Sequence, residues 1–299
     1  MATPKIGFIG FGEAAASICQ GLSGEGVTDI AAFDVHARPA TDGVRMAESL
    51  KDLLAGSHVV FSAVTSAVAL TVAQDAAAHL SDRHLYVDIN SVSPDTKIEI
   101  GKTVSASGAR FVEAAVMAGV PPYGHKVPML LAGDGAPELI ELMAPFGMVL
   151  EDSGGELGSA AAAKMFRSVM VKGMEALFQE CVLGADRYGV ADKVLDSIGD
   201  GYPGIDWKAL ASRLMGRTAI HGERRAHEME EVAETLKALG IEPLMAEAAA
   251  KRIAWAARRG LKEKFGDEAP ESFHQVLDAL SAPDAPDAKE EGPKKENKA

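Results

Sequence analysis

Several features that define other classes of protein are scarce in this sequence. It has only two cysteines, Cys19 and Cys181, and neither lies in a CxxC or His-rich spacing, so no disulfide framework or structural zinc site is indicated. Basic residues number 30 against 43 acidic ones, and the net charge of -13 argues against a nucleic-acid or anionic membrane partner. Hydrophobic residues at 47% and charged residues at 24% still indicate a globular protein.

Long apolar runs are also missing. Residues 56–74 lack Asp, Glu, Lys and Arg, but serines, threonines and a histidine interrupt them. A buried strand, a loop and the start of a helix explain this segment better than a membrane span. The first residues enter a strand-like stretch without the basic region and longer apolar segment of a signal peptide. We therefore expect a cytoplasmic protein that does not bind membranes.

The first half of the chain alternates short apolar, β-branched runs with Ala-rich segments. Such alternation is typical of a parallel sheet covered by helices. Strands are predicted over residues 5–9, 29–33, 59–63, 84–88, 110–114, 128–132 and 148–151. Helices are predicted between them, for example over residues 13–22, 67–78 and 94–107.

After Gly158 the alternation stops and helical patterns follow one another. The longest, over residues 159–188, repeats apolar residues at three- and four-residue steps. Further helices are predicted over residues 192–198, 207–215, 223–239, 244–259 and 270–280. The tail at 282–299 has few apolar residues and is predicted to be disordered. This pattern predicts an α/β domain over residues 1–157 and an all-α domain over 158–281, whose extra apolar surface favours a homodimer.

The strongest single motif is a glycine-rich turn between the first predicted strand and helix, with the residues Gly10, Phe11, Gly12, Glu13, Ala14 and Ala15. Gly10 permits the tight turn, Gly12 lets a pyrophosphate approach the backbone, and Ala15 lets helix and strand pack closely. The phosphate would bind the amides at the start of the helix. Taken alone the motif is weak, because glycine-rich turns also join strands and helices in other proteins.

Asp34 strengthens the interpretation. It ends the second predicted strand, 22 residues after Gly12, where its carboxylate can accept hydrogen bonds from the ribose hydroxyls of a dinucleotide. In isolation it is as readily a turn residue or a helix cap. Together the two features predict a Rossmann domain that binds NAD. NADP stays possible, since Arg38 can neutralise a 2′-phosphate if it is not simply a solvated loop charge.

Four segments in order resemble the β-hydroxyacid dehydrogenase family, which includes 3-hydroxyisobutyrate dehydrogenase, tartronate semialdehyde reductase and 6-phosphogluconate dehydrogenase. They are residues 7–12, 63–66, 88–94 and 158–164. The resemblance implies that the cofactor also contacts a loop after one strand and a residue after the next, which are Val64, Thr65, Ser66 and Asn90.

The last segment resembles the helix that carries the family's catalytic lysine. The resemblance implies that Lys164 is the general acid/base that handles the proton of the substrate hydroxyl or carbonyl. Without the family, Lys164 is an ordinary helix lysine in water. Two departures concern the substrate: Met117 and Ala118 replace a serine and a glycine of the family segment, and Ser168 replaces an asparagine. They indicate a larger or less polar substrate, with the predicted contacts Ser91, Met117, Ala118, Gly119 and Ser168.

The chain also resembles a bacterial branch of this superfamily, through residues 10–14 and 221–225. In the second of these segments, His221 and Arg224 are predicted to start a helix bordering the cleft and to meet an anionic substrate. His221 and His227 are six positions apart and do not face together on a helix, so no metal site is predicted. An ordinary polar helix face is the alternative.

The predicted function is therefore an NAD(P)-dependent oxidoreductase. It would transfer a hydride between the nicotinamide and a hydroxy-acid-like alcohol or its carbonyl, with a small-molecule substrate and a homodimeric state. Two alternatives stay open: an imine reductase-like enzyme, although imine reductases of the superfamily commonly lack the lysine, and a non-catalytic nucleotide-binding redox sensor.

Overall fold

A computed structural model describes residues 3–36 and 41–281. Arg38 and the predicted tail at 282–299 lie outside the described residues. The chain forms two compact units, the first ending at Arg167 and the second beginning at Ser168. The division lies inside the helix Ser159–Asp186. Each unit is described by itself.

The first unit is built on an eight-stranded sheet with the order β3-β2-β1-β4-β5-β6-β7-β8. The strands are β1 (Ile6–Ile9), β2 (Ile30–Phe33), β3 (Val44–Met46), β4 (Val59–Ser62), β5 (Leu85–Asp88), β6 (Arg110–Val116), β7 (Met129–Ala132) and β8 (Leu150–Asp152). Neighbouring strands are parallel except β6 and β7.

Helices connect these strands. They are α1 (Glu13–Gly24), α2 (Leu50–Gly56), α3 (Ala69–Ala77), α4 (Pro94–Ser105), α5 (Ala136–Met143) and the start of α6 (Ser159–Asp186). Serine hydroxyls cap the N-termini of two of these helices: Ser49 accepts from Asp52 N at α2, and Ser93 accepts from Thr96 N at α4. Pro94 occupies the first turn of α4, where its missing N–H costs nothing.

Two apolar cores cover the two faces of the sheet. Phe8 and Phe61 stack in one core, and Ile9, Val60 and Tyr86 belong to the other. Successive residues of one strand thus enter different cores, and both faces are buried. This double burial explains why the parallel strands read as continuous apolar runs rather than as alternating patterns.

The second unit is helical. After the rest of α6 it contains α7 (Ala191–Gly201), α8 (Trp207–Ala238), α9 (Leu244–Ala257), α10 (Leu261–Phe265) and α11 (Phe273–Ser281). Asp206 caps α8 by accepting from Ala209 N at 2.9 Å. The helices share one apolar core that includes Phe178, Leu214 and Phe273. Across the described ranges, every helix is too short or too polar to cross a bilayer.

The predicted fold class, an α/β Rossmann domain followed by an all-α domain, is confirmed. Two differences stand out in detail. The pattern missed β3 and α10, which are short, and gave no bounds for α2 and α5, which lie between predicted strands. In addition, β7 runs antiparallel, because the link 117–128 contains only one 3-10 turn and no crossover helix. The helices predicted over 207–215 and 223–239 are joined in α8 by a kink at His221, whose dihedrals are non-helical, so the second helix begins near His221 and Arg224, as predicted.

Candidate functional site

The glycine turn has the geometry that a dinucleotide needs. Gly10 has φ +86, and a side chain there would collide with the carbonyl oxygen of Ala63. A Cβ on Gly12 would meet no described atom within 4 Å. Gly12 is also the N-cap of α1, and no described side chain caps this helix start. The first amides of α1, at the positive end of the helix, thus lack a side-chain cap, and Gly12 leaves room beside them, which suits a phosphate.

Asp34 lies beside this turn, as predicted from its place after β2. Its Oδ2 accepts from Phe11 N at 2.8 Å, and its Oδ1 accepts from His36 N at 2.8 Å. These bonds fix the carboxylate against the turn. A carboxylate offers about four lone-pair positions, so two amides do not exhaust it. The structure thus brings Asp34 together with the turn.

Asn90 organises the next loop. Its Oδ1 accepts from Val64 N at 2.7 Å, and its Nδ2 donates to Ser62 Oγ at 3.0 Å. The residue is buried, and both ends of its amide bond to the chain. Asn90 therefore supports the loop that begins with Val64 and continues into Thr65 and Ser66. Its direct contact with a cofactor stays a prediction.

A buried ion pair lies under the same strand ends. Asp88 ends β5 and accepts from Asn90 N at 2.9 Å. Lys97, on α4, donates to the main-chain oxygen of Asp88 at 2.7 Å and lies 3.3 Å from its carboxylate Oδ2. Both side chains are shielded from water. The pair anchors the segment that leads from β5 into Ser91.

Lys164 and Ser91 meet in the first unit. The ammonium Nζ donates to Ser91 Oγ at 2.8 Å, across 73 positions of sequence. Lys164 is half-buried on α6, and Ser91 is exposed. This contact joins the predicted general acid/base to one of the predicted substrate contacts. Ser91 lies on the segment that follows β5, and Lys164 lies on the part of α6 that precedes the second unit.

The substrate segment after β6 lies close to α6. Arg167 donates from NH1 to Met117 O at 3.2 Å. Met117 and Ala118 are half-buried, and Gly119 is exposed. Arg167 was not predicted from the sequence, although it lies three residues after Lys164 and so shares its helix face. That spacing was the signal that could have found it.

Glu113 is a second group that was not predicted from the sequence. It lies inside an apolar stretch of β6 and is fully buried. Its two oxygens accept from Gly158 N at 2.5 Å and from Ala161 N at 2.6 Å. A single carboxylate inside an otherwise apolar strand was the available signal, because such a group must find donors.

Three predicted substrate residues belong to the second unit, and their contact with substrate stays a prediction. Ser168 is half-buried on α6, and His221 and Arg224 lie in α8. Arg224 donates to Glu228 at 2.7 Å. Burial, then the positive charge of Arg224, lower the pKa of His221. In the described ranges no three potential metal ligands cluster.

Buried charges also pair inside the second unit. Glu175 is fully buried and forms an ion pair with Arg225, with Thr218 donating at 3.3 Å. Burial raises the pKa of Glu175. Lys172 binds Glu228 at 2.8 Å. These pairs link α6 to α8 through charged groups rather than apolar ones.

Comparison with known proteins agrees with this geometry. Residues 5–155 match the NAD binding domain of 6-phosphogluconate dehydrogenase, and residues 185–256 match a domain of unknown function (DUF1932). A conserved hypothetical protein from Sinorhizobium meliloti 1021 is 39% identical, with a TM-score of 0.80 over 93% of this chain and 96% of that one.

Two curated relatives extend the comparison. An uncharacterized 28.5 kDa protein of Methanothermus fervidus is 30% identical over 81% of this chain and 94% of its own length. The mitochondrial 3-hydroxyisobutyrate dehydrogenase of Drosophila melanogaster is 26% identical over 68% of this chain and 65% of its own length. The chain thus belongs to the family of the NAD binding domain of 6-phosphogluconate dehydrogenase, and it is similar to a 3-hydroxyisobutyrate dehydrogenase.

Proposed function

We propose that the protein is an NAD(P)-dependent oxidoreductase that acts on a hydroxy-acid-like alcohol or the corresponding carbonyl, with Lys164 as general acid/base. The observation that carries the proposal is the 2.8 Å hydrogen bond from Lys164 Nζ to Ser91 Oγ, in the unit that also holds the glycine turn. The relative from Drosophila melanogaster, a 3-hydroxyisobutyrate dehydrogenase, supports the reaction class.

The residues present fit a dinucleotide. Gly12 leaves room for a phosphate at the uncapped start of α1, and Asp34 is held beside the turn by the amide of Phe11. A carboxylate at this place would repel a 2′-phosphate, so we propose NAD as the preferred form. Val64 is fixed by Asn90, which supports a contact between this loop and the cofactor.

A bound nicotinamide would supply the hydride acceptor in oxidation and the hydride donor in reduction. In oxidation, neutral Lys164 takes the hydroxyl proton while the carbon loses its hydrogen with both electrons and the C–O bond becomes a carbonyl. In reduction, the ammonium returns that proton to the carbonyl oxygen. The hydrogen bond to Ser91 restricts the position of Lys164 Nζ, which helps to orient the amine for proton transfer with the substrate oxygen.

Arg167 supports an anionic group on the substrate. A guanidinium carries five donors, and the bond to Met117 O uses one. The chain as a whole has a net charge of -13, yet Lys164 and Arg167 place two cations one helical turn apart beside residues 91 and 117. We propose that Arg167 orients a carboxylate-bearing substrate in both directions, and that Lys164 adds its charge when it is protonated for reduction.

Substitution of Lys164 by alanine tests the proposal. We expect turnover with the best member of a panel of alcohols, carbonyls and cyclic imines to fall about 10²- to 10⁴-fold, because general acid/base catalysis contributes that much. Cofactor affinity, measured by calorimetry, should change little. Lys102→Ala, at an exposed lysine of α4, is the matched control and should leave both quantities unchanged. A redox sensor would be indifferent to both substitutions, and activity on imines alone would contradict carbonyl chemistry.

The homodimer also stays part of the proposal. On α6, Met170 and Leu177 are 66% and 59% exposed within the second unit. Large apolar side chains left in water on one helix are common at interfaces between subunits. Light scattering of the full chain will measure its mass in solution, and a monomer at micromolar concentration would contradict this part.

A further inference from the structure

We propose that Glu113 is a positioning residue for Lys164, which rests on the proposed function of that lysine. Glu113 takes no part in the proton and hydride transfers described above. It is nevertheless a charged group with no exposed surface, on the strand next to the one that leads to Ser91. Within residues 3–36 and 41–281, both of its oxygens accept from amides at the start of the helix that carries Lys164.

The hydrogen bonds of Glu113 replace a cap that the helix itself lacks. A helix start is often closed by an N-cap side chain that accepts from the N3 amide and an N3 side chain that accepts from the N-cap amide. In α6 these two positions are Gly158 and Ala161, which have no acceptor to offer. Glu113 accepts from both amides, at 2.5 and 2.6 Å. The carboxylate of Glu113, on β6, thus replaces both capping side chains.

The same turn is seated by shape. Gly158 has φ +95, a conformation that favours glycine, and a Cβ at this position would lie against Ile98 and Pro94. Ala160 is fully buried in a small cluster with Ala115 and Ala132. Ala115 is two residues after Glu113 and therefore points to the same face of β6. The carboxylate and the alanine contact fix the rotation and height of the helix start together.

The segments that carry Ser91 and Lys164 are tied to neighbouring ends of β5 and β6. Asp88 and Glu113 are directly paired in the register of β5 and β6. Ser91 follows Asp88 by three residues, and Lys164 follows Ala161 by three residues, a rise of about 4.5 Å along a helix. The contact between Lys164 and Ser91 therefore closes a circuit that also contains Glu113 and its two amide bonds. A change at Glu113 is therefore expected to alter the distance from Lys164 Nζ to Ser91 Oγ, unless another contact of this circuit shifts instead.

Loss of the carboxylate would leave two buried amides unsatisfied and remove a negative charge from the positive end of α6. The helix start would then tilt toward water or other acceptors. Because a displacement of about 1 Å can cost about 10²-fold in rate, a modest tilt would be visible in turnover. Binding of the dinucleotide uses the turn after β1 and should not respond.

The experiment compares Glu113→Gln, Glu113→Asp and Ser49→Ala in the full chain. Glutamine keeps one acceptor and turns an amide against the second N–H, so we expect kcat to fall about 10²-fold with KM for the dinucleotide unchanged. Aspartate keeps both acceptors on a shorter side chain and should retain more activity than glutamine. Ser49→Ala removes the side-chain cap of α2 instead, so it controls for the loss of any helix cap and should keep wild-type kcat.

Two measurements do not depend on activity. Hydrogen exchange should show faster exchange at the amides of residues 158–164 in Glu113→Gln, with Glu113→Asp between it and the wild type. A crystal structure of Glu113→Gln should show the Lys164 Nζ to Ser91 Oγ distance lengthened beyond a hydrogen bond. If Glu113→Gln does not fold, Glu113→Asp carries the same comparisons.

Unchanged exchange and an unchanged distance would overturn the positioning role. Wild-type kcat in Glu113→Gln would overturn it as well, even with faster exchange. If the wild-type protein turns over no substrate of the panel, the proposed function fails, while the exchange and distance measurements still decide whether Glu113 sets the position of Lys164.

Discussion

Lys97 and Lys164 are two lysines of one structural unit with opposite surroundings. Lys97 is 1% exposed and bonds to the main chain of Asp88, with the carboxylate 3.3 Å away. Lys164 is half-buried, and its partner is the exposed hydroxyl of Ser91. One ammonium neutralises a buried charge and the other stands where a small molecule can reach it.

The difference separates structural from chemical roles better than residue type does. Removal of Lys97 would strand the Asp88 carboxylate in a dry site, which is costly because no water can replace the ammonium. Removal of Lys164 would leave Ser91, which water can solvate. We therefore expect stability to depend on the first lysine and turnover on the second.

The largest effect is expected from Lys97→Met. Because one partner of a buried pair is left uncompensated, the free energy of unfolding should fall by about 3–5 kcal/mol. Urea titration followed by circular dichroism measures it. Lys164→Met is the matched control on the other lysine and should change stability by less than about 1 kcal/mol. Equal losses in the two variants would erase the contrast between them.

Arg167→Gln sharpens the contrast on the side of the substrate. If Arg167 binds a carboxylate, loss of a charge-assisted hydrogen bond worth about 1.5–3 kcal/mol should raise KM for acidic substrates about 10- to 100-fold. Neutral analogues should be affected little, and kcat should hold. Steady-state kinetics on an acid and its methyl ester distinguish the cases. Equal changes for both compounds would refute the anionic contact.

The smallest effect is expected from Ser91→Ala. Because Ser91 is exposed and water can replace its hydroxyl, its hydrogen bond to Lys164 should contribute only about 1 kcal/mol net, so kcat should fall about fivefold when this bond is lost. Ser91→Thr, which keeps the hydroxyl, should restore most of the rate. A loss as large as that of Lys164→Ala would instead give Ser91 a direct part in the chemistry.

Much of the first unit follows from local pattern. The turn at Gly10, the strand before Asp34 and the helix carrying Lys164 were all predictable, because each depends on residues close in sequence. The short β3 was not, since too few residues carry a periodic signal, and the antiparallel direction of β7 was not, since it depends on a link without a crossover helix. In the second unit, apolar spacing predicted separate helices over 207–215 and 223–239, and the kink at His221 falls between them.

The candidate site shows the same boundary. No role was predicted for Glu113 from the sequence, and Asn90 was predicted only as a cofactor contact. Their partners lie at Gly158, 45 positions away from Glu113, and at Val64, 26 positions away from Asn90. Arg167 was overlooked although its spacing of three residues from Lys164 puts both side chains on one helix face, because its partner Met117 lies 50 positions away.

The sequence by itself determined the α/β organisation, the glycine turn and the presence of a lysine at a family position, because strand and helix periods and turn chemistry are local properties. Only the tertiary structure decided that Glu113 caps the helix of Lys164, that Lys97 is buried beside Asp88, and that Lys164 donates a hydrogen bond to Ser91. These pairings depend on strand order and on the register of β5 and β6. A buried polar group takes whichever partner the packed elements bring within reach, and no short stretch of sequence encodes that choice.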